Sequence, residues 1–188
     1  MGIVFGVDEV GRGPLAGPVL AAAVCWWVPV EGVRDSKALR ASARERLAVA
    51  IRRACPVALG AASAREIDRR GVLEASLEAM ARAVARLVRQ VGPPDLVLVD
   101  GDRLPPLTFP ARAVVRGDAR EPAIAAASIV AKVARDRLMV RLGAADPRFG
   151  FEVHKGYPTA RHLAALAVHG PGPHHRRSFH PVRSFLVT

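Results

Sequence analysis

The chain has 188 residues, 51% of them hydrophobic, with 28 Lys and Arg against 17 Asp and Glu for a formal charge of +11. That length fits one domain with an ordinary core, residues 1–188, and the apolar content excludes disordered and fibrous classes. The charge points to a polyanionic partner, nucleic acid first, although only Lys37, Lys132 and Lys155 are lysines, so an Arg-rich coding bias contributes as well.

In chain order, the apolar run over 2–7 reads as a strand and leads into two adjacent acids, Asp8 and Glu9. Gly11-Arg12-Gly13 and a Gly/Pro turn follow, then a second strand over 18–28. Near-continuous apolar character in these strands suggests a sheet covered on both faces. An Arg/Ala/Leu segment over 40–53 has helical spacing, and 56–62 reads as a third strand. Ser63-Ala64-Arg65-Glu66 matches a capping box, so helices begin there and run through Ile67, Leu73, Leu77, Met80, Val84 and Leu87 to Pro93-Pro94. Residues 95–100 read as a buried strand ending in Asp100, and 111–116 as a strand followed by Gly117-Asp118. A long helix is expected over 121–142, carrying Ser128 and Lys132, and a short one over 159–168 in a loop-rich tail. Strands alternating with helices argue for an α/β layered domain.

Cys25 and Cys55 sit in apolar surroundings without metal-ligand spacing and read as core thiols of a reducing compartment. The first residues lack the basic start of a signal peptide, and the apolar run 18–30 is too short for a bilayer, which needs about 20 residues. The expectation is a cytoplasmic protein without membrane contact.

Asp8, Glu9, Asp100 and Asp118 carry the chemistry. Acids at strand ends of an open α/β sheet gather at one edge, where ligands bind. Taken singly, such acids are usually solvated or cap helices. Gathered, they repel unless a cation sits among them, and Mg²⁺ favours carboxylates completed by water and phosphate oxygens. Two such ions about 3.5–4 Å apart suit in-line phosphoryl displacement. Gly11 and Gly13 let the backbone approach a sugar closely, and exposed N–H and C=O groups can tell ribose from deoxyribose by its 2′-hydroxyl. By itself the Gly-Arg-Gly triplet is also an ordinary tight turn.

The stretch GVDEVGRGPLAGPV (6–19) closely resembles the first signature of type 2 ribonuclease H, ribonuclease HII, with Val10 at a usual Ala. DSKALR (35–40), EIDRRGVLEASLEAMARAV (66–84), LVDGDRLP (98–105), GDAREPAIAAASIVAKVARDRLM (117–139), HKGYPTARH (154–162) and RRSFHPV (176–182) look like that family's further blocks, in its order. Arg70-Gly71 departs from the family's usual Asn and apolar residue.

The resemblance implies a ribonuclease H-like mixed five-stranded sheet flanked by helices, with a helical C-terminal region. It implies an endonuclease that cuts the RNA strand of RNA–DNA hybrids and nicks 5′ of single ribonucleotides in duplex DNA, leaving 3′-hydroxyl and 5′-phosphate ends. By the same resemblance Asp8, Glu9, Asp100 and Asp118 are the catalytic and metal-holding acids, for Mg²⁺ or Mn²⁺. Gly11, Arg12 and Gly13 match the loop that reads the 2′-hydroxyl, and Tyr157 the aromatic that stacks on the following deoxy sugar. Lys37, Lys132 and Arg12 are candidates to hold backbone phosphates. His174, His175, Arg176 and Arg177 are expected to add non-specific electrostatics, with a metal site at the histidine pair as a lesser reading.

A non-catalytic hybrid-binding module of the same fold is the competing reading, and it predicts a broken acidic set, whereas all four acids are present. The sister type, ribonuclease HIII, carries an extra N-terminal domain that a first strand at residue 2 is expected to leave out. A monomer is expected, and a sliding-clamp contact is left open.

Overall fold

A computed structural model describes residues 2–33 and 39–186. The strands are β1 (Val4–Val10), β2 (Val19–Cys25), β3 (Val57–Ala62), β4 (Leu96–Asp100) and β5 (Ala111–Val114). The helices are α1 (Ala41–Ala54), α2 (Ala64–Arg70), α3 (Val72–Val91), α4 (Pro122–Ala145), α5 (Phe151–His154) and α6 (Ala160–His169). Short 3-10 turns span Gly117–Ala119 and Val182–Phe185. One sheet in the order β3-β2-β1-β4-β5 holds all five strands. β1, β2 and β3 pair antiparallel, and β4 and β5 add in parallel beside β1, so the sheet is mixed as expected.

Side-chain alternation sorts the sheet into two cores. Phe5, Val7, Val19, Ala21, Ala23, Val97 and Val99 face α3, whose Ala75, Ala79, Ala83 and Leu87 meet them. Ala22 and Val24 face the other way, against Ile51 of α1 and Ile129, Val130 and Val133 of α4. Each fully buried Phe, Leu or Ile among them stabilises the fold by roughly 1.5–3 kcal/mol. The helix α4 lies very close to β1, because a Cβ on Gly6 would stand 2.1 Å from the Ala123 carbonyl. A third cluster, with Leu15, Met139, Phe149, Phe151 and Leu166, fastens the C-terminal region onto the end of α4. No helix among the described residues is long and apolar enough to cross a membrane.

Three elements differ from the sequence expectation. The strand β1 does not stop at residue 7 but carries Asp8 and Glu9 within it, paired with Ala22 and Ala21. Backbone pairing with β2 holds the strand whatever the side chains are, so acids end the apolar run without ending the ladder. The capping box at Ser63 is present, but the helical run breaks at Gly71, whose φ of 80° lies in the left-handed region. The four-residue α5 has too little periodicity to read from sequence.

Candidate active site

Register explains why two of the acids meet. β1 and β4 run parallel with Val7 opposite Val99, so the next residue of each strand is an aspartate, Asp8 and Asp100. Parallel neighbours in register point to the same face, with strands about 4.8 Å apart. Asp8 is 5% exposed. Burial drives its carboxyl well above the usual range, and the charges of Glu9 and Asp100 add to the rise. The Ser128 side chain and the Glu9 N–H, 2.7 Å from Asp8 Oδ1, oppose it by hydrogen bonding. Glu9 is also raised, first by burial; Arg12 opposes that rise and Asp100 adds to it. The Arg12 Nη1 stands 3.6 Å from Glu9 Oε1.

Asp100 closes β4, and its Oδ1 accepts the Gly117 N–H at 2.7 Å and the Asp118 N–H at 3.3 Å. The structure therefore brings Asp118 to Asp100 through its backbone. Asp118 is buried within its 3-10 turn, and it is not among the described residues that line the cleft.

That cleft, of about 350 Å³, gathers Asp8, Glu9 and Asp100 with Gly11, Arg12, Gly13, Arg44, Ser128, Lys132 and Tyr157. Lys132 is ion-paired to Asp136 at 2.8 Å while it lines the cleft. A larger and more open hollow between α1 and α4, about 830 Å³, contains none of the three cleft carboxylates. Gly11 has φ of 97°, and a Cβ there would lie 2.1 Å from Arg135 Nε, so conformation and space both require glycine. The Tyr157 ring stands across from Gly13, 3.8 Å from where a Cβ would be, and is 42% exposed. Lys37 lies outside the described residues.

The donor set suits a hard divalent cation. A buried Asp8 and the half-buried Glu9 and Asp100 line one cleft, neighbouring carboxylate charge adds to the raised proton affinity of Asp8 and Glu9, and oxygen is the ligand atom throughout. Among the described residues no three His, Cys, Asp or Glu side chains are already grouped so as to hold a metal ion by themselves. The arrangement fits an ion that completes its shell with water and substrate phosphate, as Mg²⁺ does.

The expected basic tail is corrected. His175 and Arg176 are 2% and 0% exposed and do not form a surface patch. His175 belongs to a buried chain of rings. Its Nδ1 accepts the Gly172 N–H at 3.0 Å, so Nε2 carries the proton and donates to His162 Nε2 at 3.0 Å. The His162 Nδ1–H then donates to the Tyr157 carbonyl at 2.9 Å. With both His175 nitrogens engaged this way, the pair serves structure rather than metal. Sequence reading also missed Ser128 and Arg44 as cleft residues and Arg135 and Arg176 as buried cations. For Ser128 the signal was its place one helical turn from Lys132 on α4. For Arg135 and Arg176 there was none.

The family model described as Ribonuclease HII matches residues 5–182. The chain is 58% identical over 186 residues to the ribonuclease HII of Nitrosococcus oceani, covering 97% of this chain and 91% of that one. Among solved structures, ribonuclease H2 of Pyrococcus horikoshii superposes with a TM-score of 0.78 at 28% identity, over 97% of this chain and 96% of that one. A chain of the PCNA:RNase HII complex of Archaeoglobus fulgidus gives 0.71 at 29% identity, over 88% and 87%.

Proposed function

The chain belongs to the ribonuclease HII family of hydrolytic endoribonucleases, and from that premise we propose that it cuts the RNA strand of RNA–DNA hybrids and nicks 5′ of single ribonucleotides in duplex DNA. The observation that carries this reading is one cleft in which three carboxylates face a Gly-Arg-Gly loop and an exposed tyrosine. Asp8, Glu9 and Asp100, with Asp118 beside Asp100, are the acids that hold divalent metal. Bound by these acids, a pair of Mg²⁺ or Mn²⁺ ions would supply water activation and charge stabilisation for the departing 3′-oxygen.

The chain's own residues do the rest. The Ser128 side chain and the Glu9 N–H hold the Asp8 carboxylate, and the Gly117 and Asp118 N–H groups hold that of Asp100. Arg12 balances Glu9 and, being half-exposed, faces the phosphate backbone. The loop Gly11–Gly13 reads the 2′-hydroxyl through its backbone. Tyr157 stacks on the deoxy sugar that follows and so senses the RNA-to-DNA junction. Products carry 3′-hydroxyl and 5′-phosphate ends.

The test is cleavage of a labelled hybrid by wild type and by Asp8→Asn and Asp100→Asn with Mg²⁺, Mn²⁺ or chelator. Wild-type cleavage is expected with either metal and none with chelator. Each substitution should lower kcat by about a hundredfold or more, the scale for removing one group that stabilises developing charge. Full activity in chelator, or in Asp8→Asn, contradicts the reading.

A further inference from the structure

We propose that Arg176 is a positioning residue that sets the ribose-reading loop, turning the N–H groups of Arg12 and Gly13 into the cleft. This rests on the function proposed above. Arg176 is fully buried, and its guanidinium spends four donated hydrogen bonds on three main-chain carbonyls of one loop. Nη2 donates to Gly11 O at 2.5 Å and to Gly17 O at 2.9 Å, Nη1 to Arg12 O at 2.7 Å, and Nε to Gly17 O at 3.1 Å. A trans peptide is planar, and its C=O and following N–H point in opposite directions. Pinning the Gly11 and Arg12 carbonyls inward on the buried cation therefore aims the Arg12 and Gly13 N–H groups away from it, toward the cleft those residues line.

The clamp is itself anchored by residues that do not line the cleft. The Arg176 N–H donates to Leu15 O at 2.8 Å, and the Phe179 ring centre lies 5.1 Å from the guanidinium carbon. Asp68, on α2, accepts the N–H groups of Arg177 and Ser178 at 3.0 and 2.9 Å. A second buried guanidinium, Arg135, donates to Ala16 O, Pro18 O and Lys155 O at 3.0–3.1 Å, joining the same loop to the segment that carries Tyr157. Burial and the nearby Arg135 lower Arg176 to about 9, which leaves it charged at neutral pH. The guanidinium's rigid planar fork has five donors, enough for these four hydrogen bonds, whereas an ammonium on a flexible stem has three donors and no fixed geometry.

The experiment compares wild type, Arg176→Lys and Asp68→Ala on a hybrid and on a duplex with one ribonucleotide, each variant first checked for folding by thermal melting. Arg176→Lys should raise KM for the single-ribonucleotide duplex about tenfold while kcat falls less, as expected for losing one or two charge-assisted hydrogen bonds from a binding loop. A purely structural role lowers the active fraction, and so kcat, with KM unchanged; that result overturns the inference, as does wild-type KM in folded Arg176→Lys. Should Arg176→Lys fail to fold, Asp68→Ala decides: its KM should rise in the same direction by a smaller factor, and an unchanged KM overturns the inference. A wild type that never cleaves the single-ribonucleotide duplex overturns the functional reading and this inference with it. Wild-type cleavage beside unchanged variants overturns this inference alone.

Discussion

Adjacent residues on a strand point to opposite faces, so Asp8 shares a face with Gly6 and Val10 against α4, and Glu9 one with Phe5 and Val7 toward α3. Both nonetheless line one cleft, because the sheet edge ends there beside Asp100. These acids were legible in the sequence, since acids at the strand ends of an α/β sheet gather at one edge and a Gly-Arg-Gly loop follows the first two. His175 and Arg176 were not, because the partners that bury them, His162 for the one and the Gly11–Gly17 carbonyls for the other, lie 13 to 165 residues away along the chain. For Tyr157, replacement by Ala should raise KM on a junction substrate by the loss of one stacking contact, of the order of 1 kcal/mol or fivefold, while Tyr157→Phe stays near wild type. Steady-state kinetics check this, and an unchanged KM in Tyr157→Ala contradicts the assigned contact. The buried histidines make a second prediction. His154, His162 and His175 are all lowered, chiefly by burial, His175 to about 4 from 6.5. The folded state then binds fewer protons than the unfolded one, so this stability is present above about pH 6.5 and is lost as pH falls toward about 4. A fall from 6.5 to about 4 corresponds to roughly 3 kcal/mol at full protonation. Melting temperature should drop through that window, and a flat profile contradicts the neutral, tautomer-ordered chain.

Among the elements, β2 and β4 were legible because buried strands read as unbroken apolar runs. The end of β1 was not, since its last residues belong to the ladder through backbone bonds rather than through apolar side chains. The break between α2 and α3 turns on Gly71 alone, a conformational requirement that a periodic pattern hides. Contact between α4 and β1 puts Ser128 beside Asp8, and Gly6 permits it. Gly6→Ala would set a Cβ against the Ala123 backbone, so it should cost about 1–3 kcal/mol by overpacking and lower kcat as α4 shifts. Urea unfolding with parallel kinetics measures both. Wild-type stability in Gly6→Ala contradicts the close approach.

For the whole molecule, a mixed sheet with helices on both faces leaves one edge where β1 and β4 end, and the carboxylates, the Gly-Arg-Gly loop and Tyr157 collect there from segments spread along the chain. The layered class followed from the order of apolar runs. The C-terminal region's hold on this edge did not, because it depends on buried cations and neutral histidines that a sequence presents as a basic tail. A positive chain around a cleft that gathers three carboxylates suits a polyanion whose scissile phosphate needs metal. The most direct measurement maps the nick on a duplex carrying one ribonucleotide, with an all-DNA duplex alongside, and determines the new ends by mass spectrometry. The account predicts one cut on the 5′ side of the ribonucleotide, with 3′-hydroxyl and 5′-phosphate ends and no cut in all-DNA. Cleavage on the 3′ side, a cyclic phosphate product, or equal cutting of the all-DNA duplex would contradict it.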